Sequence, residues 1–407
     1  MEKEVCSITS PKGFSASFTA AKIKYQDRAD MAMIKSEVPA VYAATFTKNK
    51  VKAAPVLWDE ALLKNDSKIS AVVINAGVAN AATGEQGFKD AEETATYTAD
   101  KLLLDKKNIL VASTGVIGTR LPLDKIKVGI DDMISKLSND VEMGHLASKA
   151  IMTTDTVEKE AFAIFEINGK MITVAGMCKG SGMIHPNMGT MLSFITTDVN
   201  IEKHLLQKAL SEIVEDTYNM ISVDGDTSTN DSCIVLANGL VGNEVIKEED
   251  DNYKKFKNAL FEVNATLAKK IAKDGEGATK LIEVSIIGAK TKLDAKKVAK
   301  SVVASNLTKA AIYGKDPNWG RIICAIGYAD VDFEENKLNI LFESEYGKIT
   351  LCSGGKETNF DEERAKQVMS TEHLKIICEL NCGEYCATAY GCDLTHKYID
   401  INASYRS

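Results

Sequence analysis

Residues 187–192 of the chain, "NMGTML", place a glycine directly before a threonine that opens an apolar run. The hydroxyl of Thr190 is able to attack the carbonyl that precedes it, which moves the acyl group from nitrogen to oxygen. Hydrolysis of that ester would cut the chain before Thr190. Gly189 favours this reaction because it has no Cβ to obstruct the carbonyl and tolerates a strained backbone. For the Gly-Thr pair alone, a turn that leads into a strand is the simpler interpretation.

A cut at this position would give a hydroxyl nucleophile that carries its own base. An α-amine has an ordinary pKa of about 7.7–8.0, so it accepts a proton near neutral pH. Threonine with a terminal amine is an established alternative to the Ser-His pair. The five histidines are scattered, and none lies in an elbow motif such as G-x-S-x-G. His185 is near Thr190 in sequence, but a loop histidine is its simpler interpretation.

A second candidate is "ASTGVIGTRLP", residues 112–122. The pattern predicts a strand that ends where Thr114 and Gly115 turn the chain. A hydroxyl beside an unhindered backbone N–H is suited to an oxyanion hole. A plain turn between a strand and a helix explains the same residues without chemistry.

Three further polar segments surround these motifs. Lys179 in "CKGSGM" is suited to a carboxylate or phosphate, although the P-loop pattern is absent and a solvated loop lysine is the alternative. Glu276 in "DGEGATK" could meet a substrate ammonium, and the stop of a helix explains its glycines equally well. The loop "VDGDTSTND", residues 223–231, resembles a calcium-binding loop only loosely and is interpreted as a polar structural loop.

The cysteines near the C-terminal end do not predict a metal site. Cys378, Cys382, Cys386 and Cys392 have spacings that fit neither zinc ribbons nor common iron–sulfur motifs. Most of them fall in apolar runs, where cysteine is usually a small buried residue. We therefore expect buried thiols and no metal.

The composition is that of a globular protein with two or three domains. The chain has 407 residues, 45% of them hydrophobic and 26% charged, with a net charge of −8. This charge argues against general nucleic-acid binding, which needs a basic face. The sequence shows neither a signal peptide nor an apolar stretch that could span a membrane. With nine irregularly spaced cysteines, reduced thiols in a cytosolic (cytoplasmic) protein are expected.

Hydrophobic periodicity predicts an α+β fold. Hairpins and helices come in groups rather than in strict βαβ alternation, which favours a layered arrangement with sheets between helix layers. "AFAIFEINGKMITVAGM" predicts a hairpin around Asn168-Gly169. The last hundred residues are predicted to be mostly strand, with one helix near 361–371. The other predicted strands are 68–77, 108–114, 232–239 and 281–289, and the predicted helices are 88–104, 125–138, 201–221, 253–274 and 295–312.

Together these segments resemble the ornithine acetyltransferase family, whose members act in arginine biosynthesis. The motifs that carry the resemblance run along essentially the whole chain: "GFSASFTAAKIK", "FTKNKVKAAPVLWD", "STGVIG", "IMTTDT", "KGSGMIHPNMGTML", "VDGDTSTND", "YGKDPNWGR" and "GCDLTHKYIDINASYRS". The resemblance implies an αββα-type sandwich shared with self-processing aminopeptidases, with a smaller C-terminal α/β portion. It also implies an enzyme without a cofactor, built from two α and two β chains.

The resemblance assigns roles to individual residues. It implies that the precursor cuts itself between Gly189 and Thr190, giving an α-chain of residues 1–189 and a β-chain of residues 190–407. Thr190 would accept the acetyl group of N2-acetylornithine and pass it to glutamate. Thr114 and Gly115 match the oxyanion-hole pair of the family. The positions that match its substrate-binding residues are Thr153, Lys179, Thr190, Glu276, Asn402 and Ser407.

The chain departs from the family pattern at Gly189, where alanine is usual, at Ser407, where threonine is common, and in residues 75–84. Glycine should ease cleavage, and serine keeps the hydroxyl. Two other functions stay open at this point. One is a self-processing amidase or aminopeptidase that transfers the acyl group to water, and the other is a binding protein that keeps the fold without maturing. The sequence also leaves open whether acetyl-CoA is a second acetyl donor.

Overall fold

The structure is a computed structural model that describes residues 6–185 and 191–404. Contacts divide these residues into two units. The first unit comprises residues 6–180, 191–219 and 227–268, and the second comprises residues 181–185, 220–226 and 269–404. No helix of the described ranges is long and apolar enough to cross a membrane.

The strands of the described residues are β1 (Phe14–Thr19), β2 (Met31–Phe46), β3 (Ile69–Val78), β4 (Ile109–Val116), β5 (Lys159–Ile167), β6 (Lys170–Lys179), β7 (Leu192–Thr197), β8 (Ile221–Ser222), β9 (Ser232–Ala237), β10 (Leu281–Ala289), β11 (Asn339–Ser344), β12 (Gly347–Ser353), β13 (Lys356–Glu357), β14 (His373–Glu379) and β15 (Tyr385–Cys392). The α-helices of the same residues are α1 (Ala54–Lys64), α2 (Gly84–Leu102), α3 (Leu123–Ser135), α4 (Val141–Ala150), α5 (Lys203–Asp216), α6 (Asp251–Lys273), α7 (Lys292–Ala304), α8 (Asn306–Tyr313), α9 (Trp319–Gly327), α10 (Glu362–Met369) and α11 (His396–Ala403).

The first unit is built on a mixed sheet in the order β4-β3-β2-β9-β7-β6-β5, with β1 paired to β2. The long strand β2 holds this sheet together because its first half pairs with β1 and β3 and its second half pairs with β9. The register shifts between Lys35 and Ala40, where the partner changes. Helix α2 buries an alanine stripe of Ala91, Ala95 and Ala99, whose spacing of four residues puts them on one face.

The hairpin of β5 and β6 follows directly from its turn. Asn168 and Gly169 both have positive φ, of 50° and 78°, as a two-residue type I′ turn requires. The ladder then runs without interruption from the Ile167–Lys170 pair to the Lys159–Cys178 pair. The predicted hairpin is confirmed, and it delivers Lys179 to the end of β6.

The second unit contains a mixed sheet in the order β13-β12-β11-β14-β10-β15-β8. Its central strand β10 pairs in parallel with β14 and antiparallel with β15. Ile282, Val284 and Ile286 alternate along β10 into a core that also holds Val298 and Val302 of α7. The α+β class is thus confirmed, because each unit combines a mixed sheet with helices.

Two predictions about helices were wrong. Residues 295–312 form two helices, because the Ser305 side chain accepts the N–H of Thr308 and caps the start of α8. The last hundred residues contain α9 and α11 as well as α10. Helix α9 begins at an Asn318 cap and contains Gly320 and Gly327, which are poor helix formers.

Candidate active site

Thr114 and Gly115 lie within the last residues of β4, rather than in a turn after it as the sequence suggested. The strand continues to Val116 and pairs in parallel with β3, with an irregular register at Gly77 and Val78. Gly115 has a φ of 131°, and a Cβ on it would lie 2.2 Å from the backbone carbon of Gly77. Glycine is therefore required at this position, both for its backbone conformation and for its close approach to β3.

A polar scaffold fixes the backbone just before this pair. The Asn230 side-chain amide donates to the Ser113 carbonyl at 2.7 Å and to the Ala79 carbonyl at 2.6 Å. The Ser113 hydroxyl donates to the Asn75 side-chain oxygen at 2.6 Å. Asn230 belongs to "VDGDTSTND", so this part of the motif is structural, as interpreted, and it braces β4 at Thr114.

Lys179 is the last residue of β6 and is buried, which contradicts a solvated loop lysine. Its Nζ donates to Thr114 Oγ1 at 3.2 Å. A protonated lysine amine has only donors, so Thr114 Oγ1 accepts in this contact and its own proton is directed elsewhere. The structure thus brings together two residues that the sequence assigned to the site separately.

Asp155 is a buried carboxylate that joins this lysine to the Thr153 loop. Its Oδ1 accepts from Lys159 Nζ at 2.7 Å and from the Gly180 N–H at 2.7 Å, and its Oδ2 accepts from the Thr153 N–H at 3.0 Å. Burial raises the pKa of Asp155, but the charges of Lys179 and Lys159, together with the hydrogen bonds from Lys159 and the Thr153 N–H, outweigh burial and lower the pKa to about 2. One ionised carboxylate therefore balances two buried ammonium groups.

Thr153 lies in the loop between α4 and β5 and is half-buried. Its carbonyl accepts from Arg28 Nη1 at 3.4 Å, and Arg28 Nη2 donates to the Met152 carbonyl. The guanidinium also lies 4.1 Å from the ring centre of Tyr25, in a cation–π contact. With the bond to Asp155, these contacts hold the Thr153 backbone from both sides.

Asp231 is a second buried carboxyl, at the entry to β9. Burial raises its pKa well above the ordinary value, while Ser228 and the charge of Lys179 lower it by less. Burial therefore favours the neutral form of this carboxyl more than it does for an exposed aspartate. The next residue, Ser232, donates its N–H to the Met191 carbonyl at 3.0 Å. Asp231 thus lies where β9 meets the start of β7.

The second unit places Glu276 and Asn402 together. Asn402 Nδ2 donates to Glu276 Oε2 at 2.7 Å, and the buried Glu276 donates its N–H to the Ser181 carbonyl at 2.9 Å. A Cβ on Gly182 would lie 2.3 Å from the Glu276 carboxyl group, so a side chain at this position would displace that carboxyl group. Glu276 follows the end of α6, in agreement with the helix-stop interpretation of its segment, and its substrate-binding role stays a prediction.

His185, also in the second unit, is half-buried, and its Nδ1 lies 3.0 Å from the Ser222 hydroxyl. Burial and then the charges of Lys300 and Lys309 lower its pKa to about 4. The imidazole is therefore neutral at pH 7.

Three predicted site residues lie outside the described residues: Gly189, Thr190 and Ser407. Met191, which follows Thr190 in the chain, is buried and bonded to β9 through its carbonyl. Leu192 pairs with Lys179 across β6 and β7. In the sequence, Thr190 comes two residues before Leu192, the first residue of β7.

A sequence model of the ArgJ family matches residues 15–407 of the chain. The chain belongs to the ArgJ family. The arginine biosynthesis bifunctional protein ArgJ 1 of Clostridium acetobutylicum is 51% identical over 400 residues, which cover 98% of this chain and 97% of that protein. The ArgJ protein of Thermotoga neapolitana is 50% identical over 398 residues, with 98% and 99% covered. The resemblance drawn from the motifs is confirmed at the level of the family.

A solved structure agrees with this assignment to the ArgJ family. The crystal structure of the arginine biosynthesis bifunctional protein ArgJ from Bacillus halodurans is 46% identical and has a TM-score of 0.50. The match covers 52% of this chain and 98% of that chain.

Sequence reasoning missed the buried charges of this candidate site. Asp155 stands inside the quoted motif "IMTTDT", four residues before Lys159, yet that pair was not singled out. The sequence offered one signal of a buried charge, which was a lysine at the start of an amphipathic strand. Lys159 is the first residue of β5 and lies on the buried face of that strand. Asp231 gave no comparable signal, since acids are common in polar loops.

Proposed function

We propose that this chain transfers the acetyl group of N2-acetylornithine to glutamate by a ping-pong mechanism through acetyl-Thr190, giving ornithine and N-acetylglutamate. Membership of the ArgJ family supports the proposal, because its relatives are named as bifunctional proteins of arginine biosynthesis. The observation that carries the proposal is the contact between Lys179 and Thr114, the residue before Gly115. Lys179 pairs with Leu192, which follows Thr190 by two residues in the sequence.

The proposed maturation is a cut between Gly189 and Thr190. It would divide the protein into an α-chain of residues 1–189 and a β-chain of residues 190–407. Its products would be a carboxylate on Gly189 and an α-amine on Thr190. That amine supplies the base of the acetyl transfer, and the neutral His185 is not needed for it.

In the first half-reaction, the Thr190 amine takes the hydroxyl proton while Oγ attacks the acetyl carbonyl. The Thr114 hydroxyl and the Gly115 N–H stabilise the oxyanion. Because Lys179 donates to Thr114 Oγ1, the Thr114 proton is left for this task. The carbon–nitrogen bond then breaks, and the proton on the Thr190 amine goes to the departing ornithine nitrogen.

In the second half-reaction, the glutamate amine attacks the acetyl ester of Thr190, and the same two donors stabilise the same charge. The Thr190 amine accepts the proton of the attacking nitrogen and returns it to Oγ, which leaves as the hydroxyl. One amide is broken and one is formed, so the exchange needs no energy source. Loss of one oxyanion donor typically costs about 3–4 kcal/mol, roughly 10²–10³ in rate.

Substrate binding is assigned to the residues that match the family positions. Lys179 and Thr153 are suited to the substrate carboxylate, and Glu276, held by Asn402, is suited to the ammonium end of ornithine. Ser407 completes the proposed set. Two α and two β chains are the proposed assembly, and no cofactor enters the mechanism.

Replacement of the nucleophile tests cleavage and transfer together. Thr190→Ala should give a single full-length band on a denaturing gel and no acetyl transfer, whereas Thr190→Ser should keep part of both activities. Wild-type protein should give two bands of roughly half the full size. Division of Thr190→Ala into the same two bands would refute self-cleavage by this hydroxyl.

The acceptor distinguishes transfer from the amidase or aminopeptidase alternative. With N-acetylornithine alone, wild-type protein should accumulate an acetyl group on the peptide that begins with Thr190, measured by mass spectrometry. Addition of glutamate should discharge it as N-acetylglutamate. Release of acetate at the same rate with and without glutamate would instead identify a hydrolase. A parallel assay with acetyl-CoA and glutamate tests whether acetyl-CoA is also a donor.

A further inference from the structure

The second unit contains a cavity of about 910 Å³ that no step of the proposed reaction uses. It is lined by the end of α6, the residues just before β10, the residue after Gly314, the turn between β11 and β12, and the start of β14. A volume in this range holds a small organic molecule rather than a single ion.

Four lysines line this cavity: Lys273, Lys280, Lys315 and Lys375. Two of them have carboxylate partners, since Lys375 lies 3.6 Å from Glu283 and Lys273 lies 4.0 Å from Glu372. Within residues 6–185 and 191–404, neither Lys280 nor Lys315 has a carboxylate oxygen within ion-pair distance of its Nζ.

The three glutamates of the cavity wall have other contacts. Glu343 lies 3.9 Å from Lys348, Glu345 accepts from the Thr371 hydroxyl at 3.1 Å, and Glu372 faces Lys273. The cations that lack a carboxylate partner are therefore the two lysines, Lys280 and Lys315.

Lys280 is the more unusual of the two because it is buried, with 8% of its surface exposed. Its Nζ donates to the Met369 carbonyl, and its backbone N–H donates to Asp393 at 2.9 Å. Burial and then the nearby charge of Lys315 lower the pKa of Lys280, while the charge of Asp393 raises it by less. A buried ammonium beside a second cation is costly unless an anion accompanies it.

We propose that this cavity binds a phosphate-bearing small molecule, with Lys280 and Lys315 contacting its phosphate. A phosphate monoester carries a charge of about −1.5 to −2 at pH 7, which matches two cations better than a single carboxylate does. Lysine is a common phosphate ligand as a point charge, and none of the described residues that line the cavity is an arginine, which would favour a bidentate carboxylate contact. The site is independent of the proposed acetyl transfer.

A titration of the full-length protein with inorganic pyrophosphate at constant ionic strength tests this proposal. Calorimetry measures the binding, and the unfolding temperature measures the stabilisation. Pyrophosphate should bind and raise the unfolding temperature, whereas sodium chloride at the same ionic strength should not. Lys315→Ala, at an exposed residue, should weaken binding by about tenfold or more, as expected for loss of a charge-assisted contact. Lys280→Met should weaken it further.

Lys348→Ala is the matched control, because it removes the same charge from an exposed lysine that contacts Glu343 but does not line the cavity. It should leave the affinity within about twofold, as for an exposed pair. Equal affinity in Lys315→Ala and wild type, absence of binding, or equal stabilisation by a dicarboxylate such as malonate would each overturn the proposal. If Lys280→Met fails to fold, the comparison of Lys315→Ala with Lys348→Ala still decides it.

Discussion

At the scale of single residues, the candidate site depends on one carboxylate that need not touch substrate. Asp155 binds the backbone N–H groups of Thr153 and Gly180 and balances the charges of Lys159 and Lys179. It is therefore a positioning residue for both proposed carboxylate ligands. Its removal leaves two buried ammonium groups without compensation, which is strongly destabilising in a protein interior.

Asp155→Asn should lower the free energy of unfolding at pH 7 by about 3–5 kcal/mol and lower kcat/KM for acetyl transfer. Adding Lys159→Met should recover part of the stability, because it removes one of the two uncompensated charges. Urea unfolding of wild type, Asp155→Asn and the double variant measures these free energies. Glu158→Gln, which removes an exposed charge of the same segment, should change stability by less than about 0.5 kcal/mol. Equal effects of the two single variants would contradict the role of Asp155.

The residues of the site were predictable from sequence to different extents. The Thr114-Gly115 pair and Lys179 were candidates, but a plain turn and a solvated lysine were the simpler interpretations, and the resemblance to the family gave these residues their proposed roles. The burial of Lys179 was not predictable, because it results from Asp155 and Thr114, which are remote in sequence. A local pattern contains no information about which distant side chain will satisfy a buried charge.

At the scale of elements, the close approach of β3 and β4 sets the geometry of the proposed oxyanion hole. Gly115→Ala should lower acetyl transfer by about 10²-fold or more and also lower stability, because the new methyl group would collide with the Gly77 backbone. Gly118→Ala is a matched control, with a φ of 80° and no atom within 4 Å of the position that its methyl group would take. It should cost only about 1 kcal/mol of stability and leave activity near that of wild type. Rates that fall equally in both variants would argue against the packing role of Gly115.

Elements with strong periodicity were predictable, and short elements defined by caps were not. Strand β10 and helix α6 lie within a few residues of their predicted bounds, because their apolar residues recur at the period of a strand or a helix. The division between α7 and α8 depends on the Ser305 cap inside a continuous apolar pattern. Helix α11 has no buried residue, so it has no apolar face to detect.

At the scale of the whole molecule, the proposed cut leaves the two chains joined in one sheet. The β-chain would supply β7 and β9, which pair with β6 and β2 of the α-chain. We therefore expect the two fragments to coelute in size-exclusion chromatography without denaturant and to separate in urea. Separate elution under native conditions would contradict this expectation.

Stability should depend on pH through His185. Its folded pKa of about 4 is below the ordinary 6.5, so the unfolded chain binds the proton more tightly, and stability is lost as pH falls from 6.5 towards 4. As pH falls from 6.5 to 4, the free energy of unfolding of wild type minus that of His185→Gln should decrease. Below pH 4 this difference should level off. Taking the difference cancels other groups, such as Asp155, whose contribution is lost nearer pH 2. A difference that does not change with pH would refute a buried neutral histidine.

The pairing of β7 between β6 and β9 also dictates an order of events during biosynthesis. A fragment that began at residue 190 and was made alone would expose β7 along the edge that β6 normally covers, and an uncovered apolar edge strand promotes aggregation. The intact chain avoids this because the hairpin of β5 and β6 is synthesised first and is tethered to β7. The proposed cleavage should therefore follow folding, and the two halves should be soluble when translated as one chain but not when translated separately.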